Sequence, residues 1–415
     1  MRRVENKRKG LAAPLYAIVH LPGGLLSGFV SVTLGFILGH HGVSVAAVSG
    51  LVGLYLLPTT WSFLVGPLVD VNLTPKSWYL IALALLAACF VAFALTPMIG
   101  ASVPRLGMLC FLASSASVCS GAGVAATMAL TTTPHERGPI AGWVQTANLG
   151  GAGLGGGLGL WIATHAGGAG VAGVTLAGLT LACGAPMLFV HIPTRVAGRA
   201  VTERVADMGL EIWKLARSRT GILAMIVMVI PSALGAAVGL LPAAAGAWHA
   251  SSDLVALVRG ALGGVTAIPG CILGGYLCRR FRHRTVYICA ALAYAAGLTA
   301  MAIAPHTPFA FGAFMVGNGV ILGVAFGALS AVIFDTLGHA SPATVNAGLS
   351  SLSNVPLLIA TVVLGQANAR LGADGMLLTE AALGAVSVVG YAALARWWAP
   401  TADPLLTPEA RPFPA

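Results

Sequence analysis

Few side chains in this sequence are equipped for chemistry, and most of those sit inside long apolar runs. Arg259 and Glu380 are charges within such runs. A charge in hydrocarbon costs several kcal/mol, so it is kept for a function or for a partner. Arg259 is a candidate ligand for an anionic group on a solute; its other readings are a counter-ion for Glu380, at similar depth, or a side chain snorkelling to the interface. Glu380 is a candidate proton carrier as well as that partner. Asp335, at the end of another apolar run, is a candidate proton or gate acid, or a solvated helix end. His20 lies directly before Pro22-Gly23-Gly24, where a helix is open to local breaking. A histidine changes charge near neutral pH, which suits proton coupling or hydrogen bonding to a solute, and the plainer reading is a bond to a backbone carbonyl. The amides of Gln145, Asn148, Asn318 and Asn354 complete a set of candidate substrate-binding groups. Asn148 and Asn354 either face one another across a cavity or stitch helices within one bundle.

The elements that must hold these groups follow from composition. The chain has 415 residues, of which 57% are hydrophobic and 8% charged, with a mean hydropathy of +0.90. Soluble domains carry about 25% charged residues, so a soluble enzyme is excluded and an all-α integral membrane protein is implied. Twelve apolar segments, at roughly 12–38, 44–66, 76–97, 105–131, 138–164, 170–191, 220–247, 252–277, 284–304, 307–336, 343–369 and 375–397, are each long enough to cross about 30 Å of hydrocarbon. Thr74-Pro75 reads as an N-cap with proline at the first helical position, opening the third span.

Charge then sets sidedness. With the N-terminus inside, 19 of the 22 Lys and Arg residues fall in cytoplasmic segments, so both termini are expected in the cytoplasm of an inner-membrane, multi-pass protein. The net charge of +10 therefore reports topology and not nucleic-acid binding. The basic N-terminus precedes a run too long for a signal peptide and reads as an uncleaved first span. The seven cysteines lie in or beside apolar spans without metal-ligand spacing, and neither a metal nor a cofactor is expected. Five segments result: a cytoplasmic N-terminus (1–10), a six-helix bundle (11–191), an amphipathic cytoplasmic linker (192–219), a second bundle (220–397) and a cytoplasmic tail (398–415). In the linker, Val201, Val205, Met208, Ile212 and Leu215 recur at helical spacing opposite Glu203, Arg204, Asp207, Glu211 and Lys214.

The two bundles repeat one pattern. Gly66-Pro67-Leu68-Val69-Asp70 after the second span is matched by Gly275-Tyr276-Leu277-Cys278-Arg279 after the eighth. At the same offset Pro22 matches Pro231, and Ala141-Gly142…Asn148 is echoed by Ala347-Gly348…Asn354. Two six-span halves with a Gly-x-Leu-x-Asp loop after span two resemble the major facilitator superfamily. The signature is kept at Gly66, Leu68 and Asp70, while Leu73 and Pro75 stand where glycine and a basic residue are usual. In the second copy Arg279 takes the acidic position. The stretch Val65-Gly66-Pro67-Leu68-Val69-Asp70 is also similar to the Trp-Ala-Pro-Leu-Val-Asp segment of a subgroup holding AmpG-type muropeptide permeases, acetyl-CoA transporters and siderophore permeases.

The resemblance implies twelve helices in two pseudo-symmetric bundles that rock about a central site. It implies a gate built on Gly66, Pro67 and Asp70 in one half and on Arg279 and Arg280 in the other. The function it implies is secondary transport of a small polar or amphiphilic organic solute by alternating access. Proton coupling is expected because no Walker-type Gly-Lys-Ser/Thr loop accompanies the spans, and the expected form is a monomer whose other contact is membrane lipid. The alternatives are an uncoupled facilitator or exporter, or a non-transporting receptor or lipid-handling protein. The glycines from Gly150 to Gly159 contain a formal G-x-G-x-x-G, but no strand precedes it and no acid follows until Glu203; they read instead as a helix surface made for close packing. The solute, the direction of transport and the oligomeric state are not written in the sequence.

Overall fold

The computed structural model describes residues 11–65, 73–132, 134–190, 235–337 and 342–398, together with Leu210 and Arg217. Every regular element among them is helical. In hydrocarbon each backbone N–H and C=O must find its partner within the segment, and long helices do this without neighbours.

Helix α1 runs Ala13–Gly28, passes through a π-helical segment Phe29–Leu34 and ends as Gly35–His40. Helix α2 is Val45–Leu56, closed by 3-10 turns over Leu57–Leu64. Helices α3 (Pro75–Leu95) and α4 (Val103–Thr131) follow. Helix α5 joins Pro134–Gly153 to Gly159–His165 through a second π segment, Leu154–Leu158. Helix α6 is Gly168–Cys183 with a last turn at Ala185–Leu188.

The second half begins, among described residues, with α7 (Ala236–Ala244, ending in 3-10 turns to Trp248). Helix α8 starts as Ser252–Val255, carries a third π segment at Ala256–Ala261 and continues as Leu262–Arg280. Helices α9 (His283–Ile303) and α10 (Pro308–Leu337) complete the pairs. The segment Pro342–Trp398 is helical throughout except at Gly372 (φ 73°), which divides it into α11 (342–371) and α12 (373–398). The chain reverses through a single left-handed residue there, a conformation that glycine adopts without penalty.

Local sequence accounts for these starts. Thr74 Oγ1 accepts the Ser77 N–H at 3.1 Å, as its place before Pro75 predicts. Ser44 and Ser251 cap α2 and α8 in the same way. Pro22, by contrast, lies within an unbroken stretch of α1. The local break expected at Pro22-Gly23-Gly24 is absent, because the glycines serve another purpose. Added Cβ atoms at Gly24 and Gly28 would overlap the α5 backbone at Asn148, Gly151 and Ala152, and one at Gly155 would overlap the Leu25 carbonyl. The two backbones touch, and Thr33 Oγ1 donates to the Gly155 and Gly156 carbonyls at 3.1 Å each. Those carbonyls belong to the π segment of α5, so the hydroxyl supplies a partner where the regular helical ladder is disturbed.

The packing repeats across the two halves. Pairs α2–α4, α3–α4 and α3–α6 are mirrored by α8–α10, α9–α10 and α9–α12. Phe29 against Phe90 and Phe93 (ring centroids 5.5 and 5.2 Å) anchors the first half, and Trp248 against Phe311 and His306 anchors the second. Among the described residues, close backbone contacts at three helix pairs join the halves. Gly39 of α1 sits on the Ala243 backbone of α7, Gly153 and Gly157 of α5 sit on Gly260 of α8, and Gly365 of α11 sits on Ser49 of α2.

These seals lie toward the end of the molecule that bears His40, His165 and Trp248, which we call the histidine end. The opposite, basic end bears Lys76, Arg279 and Arg280. At the histidine end His165 of α5 also meets Asp253 of α8, Nε2 to Oδ1 at 3.5 Å, with both side chains exposed. Nearer the basic end α2 and α11 stay in touch through Ser62 and Ser351, whose hydroxyls are 2.7 Å apart.

A Gly260→Val substitution places methyl groups where the Gly157 backbone now lies. It is expected to separate α5 from α8 by about 1–2 Å while the chain still inserts. Spin-label distances between positions 165 and 253 check this, and an unchanged distance contradicts it.

Candidate functional site

Two polar clusters lie within the bundle. The first lies between α7, α8, α9 and α12. Helix α7 begins abruptly after Gly235, which is left-handed (φ 95°). The first three N–H groups of a helix have no intrahelical acceptor, and here they lie deep in apolar surroundings. Glu380 of α12 supplies the acceptors. Its Oε1 takes the N–H groups of Gly235 and Ala236, and its Oε2 that of Ala237, each at 2.9 Å. The carboxylate is 2% exposed. Donors to an ionised acceptor, added to the positive end of the helix dipole, make this a strong cap.

Tyr294 of α9 is buried with its hydroxyl against the Gly235 backbone, and its O–H proton has no acceptor. It interacts electrostatically with both Glu380 and Arg259. Arg259 is in the π segment of α8, next in sequence to Gly260, which touches α5. Its Nε is buried without a partner. Among the described residues no ion pair reaches it. The expected pairing of Arg259 with Glu380 is therefore not formed, because the carboxylate is committed to the start of α7.

The second cluster is in the first half. The His20 side chain of α1 hydrogen-bonds to Asn148 of α5, and its Nδ1 is buried with no partner. The Cε1 edge of the ring faces Gly121 of α4. Tyr55 of α2 bonds to Ser27 of α1. Asn354 of α11 reaches across the halves, its Nδ2 donating to the Thr59 carbonyl of α2 at 3.5 Å. Asn148 and Asn354 thus do not face one another; each has a neighbour on a different helix.

Other expected site residues fall elsewhere. Asn318 is 3% exposed, and its Oδ1 lies against Gly297 of α9, within the second half and away from the contact between halves. That amide packs two helices of one bundle, and its Nδ2 has no partner. Arg279 and Arg280 are exposed in the last turn of α8, where they complement its dipole, and Arg280 lies 5.5 Å above the Tyr276 ring. Gly66, Pro67 and Asp70 lie outside the described residues, as do all but two residues of the linker. Gln145 and Asp335 are on described stretches of α5 and α10, with their side chains outside the description. Sequence reasoning missed Tyr294 and Gly235. A tyrosine at mid-span and a glycine four residues after Pro231 were the available signals.

The geometry defines a polytopic membrane protein of two six-helix bundles, with polar groups concentrated at helix contacts. The Major Facilitator Superfamily profile matches residues 16–361, and the chain belongs to that family. It is accordingly an integral membrane protein of a transporter family. No curated relative matches the sequence significantly.

Solved structures carry the same fold. The nucleoside transporter NupG aligns with a TM-score of 0.69 at 14% identity, over 92% of this chain and 98% of its own. A D-xylose-proton symporter aligns at 0.68 and 15%, over 91% and 96%. A bacterial homolog of the human lysosomal transporter Spinster, in an inward-facing and unoccupied conformation, aligns at 0.71 and 13%, over 92% and 96%.

Replacing Glu380 by Ala leaves three buried N–H groups without acceptors. The expected loss is about 3 kcal/mol or more, whereas Glu380→Gln, which keeps a carbonyl acceptor, loses about 1–2 kcal/mol. Thermal unfolding of the purified protein ranks the variants, and an Ala variant as stable as wild type removes the cap from the account.

Proposed function

We propose that the chain is a proton-coupled secondary transporter of a small polar or amphiphilic organic solute, working by alternating access in the inner membrane with both termini in the cytoplasm. The observation that carries this reading is the set of contacts between the halves. Gly39–Ala243, Gly157–Gly260 and Gly365–Ser49 are contacts of small residues, tight in this state and separable without leaving a buried charge behind. Such surfaces suit bundles that part and close again. The sidedness rests on the Lys and Arg bias: the basic end is cytoplasmic, so the closed histidine end faces outward and the molecule is shut to the outside. Gly66, Pro67 and Asp70, with Arg279 and Arg280, are proposed for the inner gate on the family resemblance.

His20 is the proposed coupling residue. It bridges α1 and α5 through Asn148 and keeps Nδ1 free to take a proton. A proton there creates a charge on a gating helix without breaking the bond to Asn148. Glu380, in contrast, gives up cap bonds if protonated, and its proposed part is structural. Asp335, Gln145 and Asn354 remain candidate contacts for proton or solute by their places in α10, α5 and α11.

In proteoliposomes, a pH gradient acid on the outside should drive accumulation of a transported solute by wild type. His20→Gln should lower that accumulation about tenfold or more while sparing counterflow exchange. Accumulation that ignores the gradient in wild type overturns coupling and leaves an uncoupled facilitator.

A further inference from the structure

We infer that Arg259, assisted by the Tyr294 hydroxyl, is the binding site for a carboxylate group on the transported solute; the inference rests on the transport reading for the occupant being cargo. The argument is one of charge. The chain contains twelve acidic residues, and only Glu380 lies inside an apolar span at the depth of Arg259. Glu380 spends both oxygens on the three N–H groups at the start of α7. Asp253, two turns before Arg259 on the same helix, is exposed and faces His165 across the halves. Asp374 is exposed and faces His306 at 2.9 Å. Asp335 belongs to the opposite end of the bundle. Among the described residues, none thus offers Arg259 a carboxylate.

A guanidinium left in that condition is costly, and the cost disappears when an anion arrives. The neighbours fit such an arrival. The Tyr294 hydroxyl is buried against the Gly235 backbone, has no acceptor for its own proton, and is close enough to feel the Arg259 charge. Arg259 Nε is likewise unpartnered. A carboxylate is the anion whose two oxygens match a guanidinium edge, with the phenol as a third donor.

Access is built in as well. Arg259 adjoins Gly260, whose backbone closes on Gly157 of α5. Parting α5 from α8 opens the wall beside the guanidinium, so release and loading are tied to the same glycine contact that seals the halves.

The test uses the purified full-length chain and does not require transport. Lactate, benzoate and succinate are titrated beside their neutral amides and inorganic phosphate, with thermal stability and intrinsic tryptophan fluorescence as readouts. The carboxylates should bind saturably and raise the melting temperature; the amides should not, and phosphate should be weaker. Arg259→Gln should lose at least about tenfold in affinity, Tyr294→Phe a few-fold, and Arg259→Lys should retain part of the binding.

A second measurement is independent of the probe. Without anion, Arg259→Met should melt about 2 °C or more above wild type, since it removes an uncompensated charge. Carboxylates and amides binding alike, affinity unchanged in Arg259→Gln, a response to phosphate alone, no response to any carboxylate, or an Arg259→Met protein less stable than wild type each overturn the site. Gradient-driven uptake of a neutral solute alongside these failures would leave the transport reading standing.

Discussion

The Glu380 carboxylate is the interaction on which the second half depends. Helix α7 carries Ala243, the surface on which Gly39 of α1 closes, yet its described part starts in mid-membrane after a left-handed glycine. A helix can begin there only if its first N–H groups are satisfied, and water is not at hand. Glu380 satisfies three of them from α12. The same commitment removes the acid that would otherwise neutralise Arg259. One carboxylate thus fixes the position of a sealing helix and leaves Arg259 without an ion-pair partner among the described residues.

In the first half the corresponding constraint is backbone contact. α1 and α5 approach until glycine is the only residue that fits at Gly28 and Gly155. Cα surfaces at that distance gain dispersion and lose no side-chain entropy. The π segments of α1, α5 and α8 gather at this junction, and Thr33 donates to carbonyls of one of them. His20 and Asn148 sit along the same pair of helices, so a bond between their side chains reports directly on how α1 lies against α5.

Much of this architecture was legible in the sequence, because apolar length is a strong signal and the repeat relates two halves. Twelve spans, the capped start at Thr74-Pro75 and the glycine surface of α5 all rest on such one-dimensional features. The departures share one cause: they are decided by neighbours that a linear reading does not supply. Pro22-Gly23-Gly24 looks like a break until α5 is seen against the glycines. Residues 342–398 read as two spans with a loop, but one residue at Gly372 suffices for the reversal. Glu380 and Arg259 have matching depths and opposite signs, which suggests a pair; the start of α7 competes for the acid and wins. Asn318 and Asn354 are both mid-span amides, and only the fold tells that the first packs on α9 while the second reaches α2.

The choice of contact chemistry between the halves follows from what alternation demands. A seal held by buried ion pairs would have to desolvate its charges on every closure and strand them on every opening, at several kcal/mol each way. A seal of glycine on backbone exchanges apolar contact for water or lipid, a smaller change that a bound solute can offset. The one ion pair that joins the halves among the described residues, His165 with Asp253, stands at the exposed rim, where screening keeps its contribution small. The hydroxyl pair Ser62–Ser351 toward the basic end is neutral as well. With the weak contacts spread along the interface and the strong cap placed inside one bundle, the bundles stay rigid and the boundary between them is where the molecule yields.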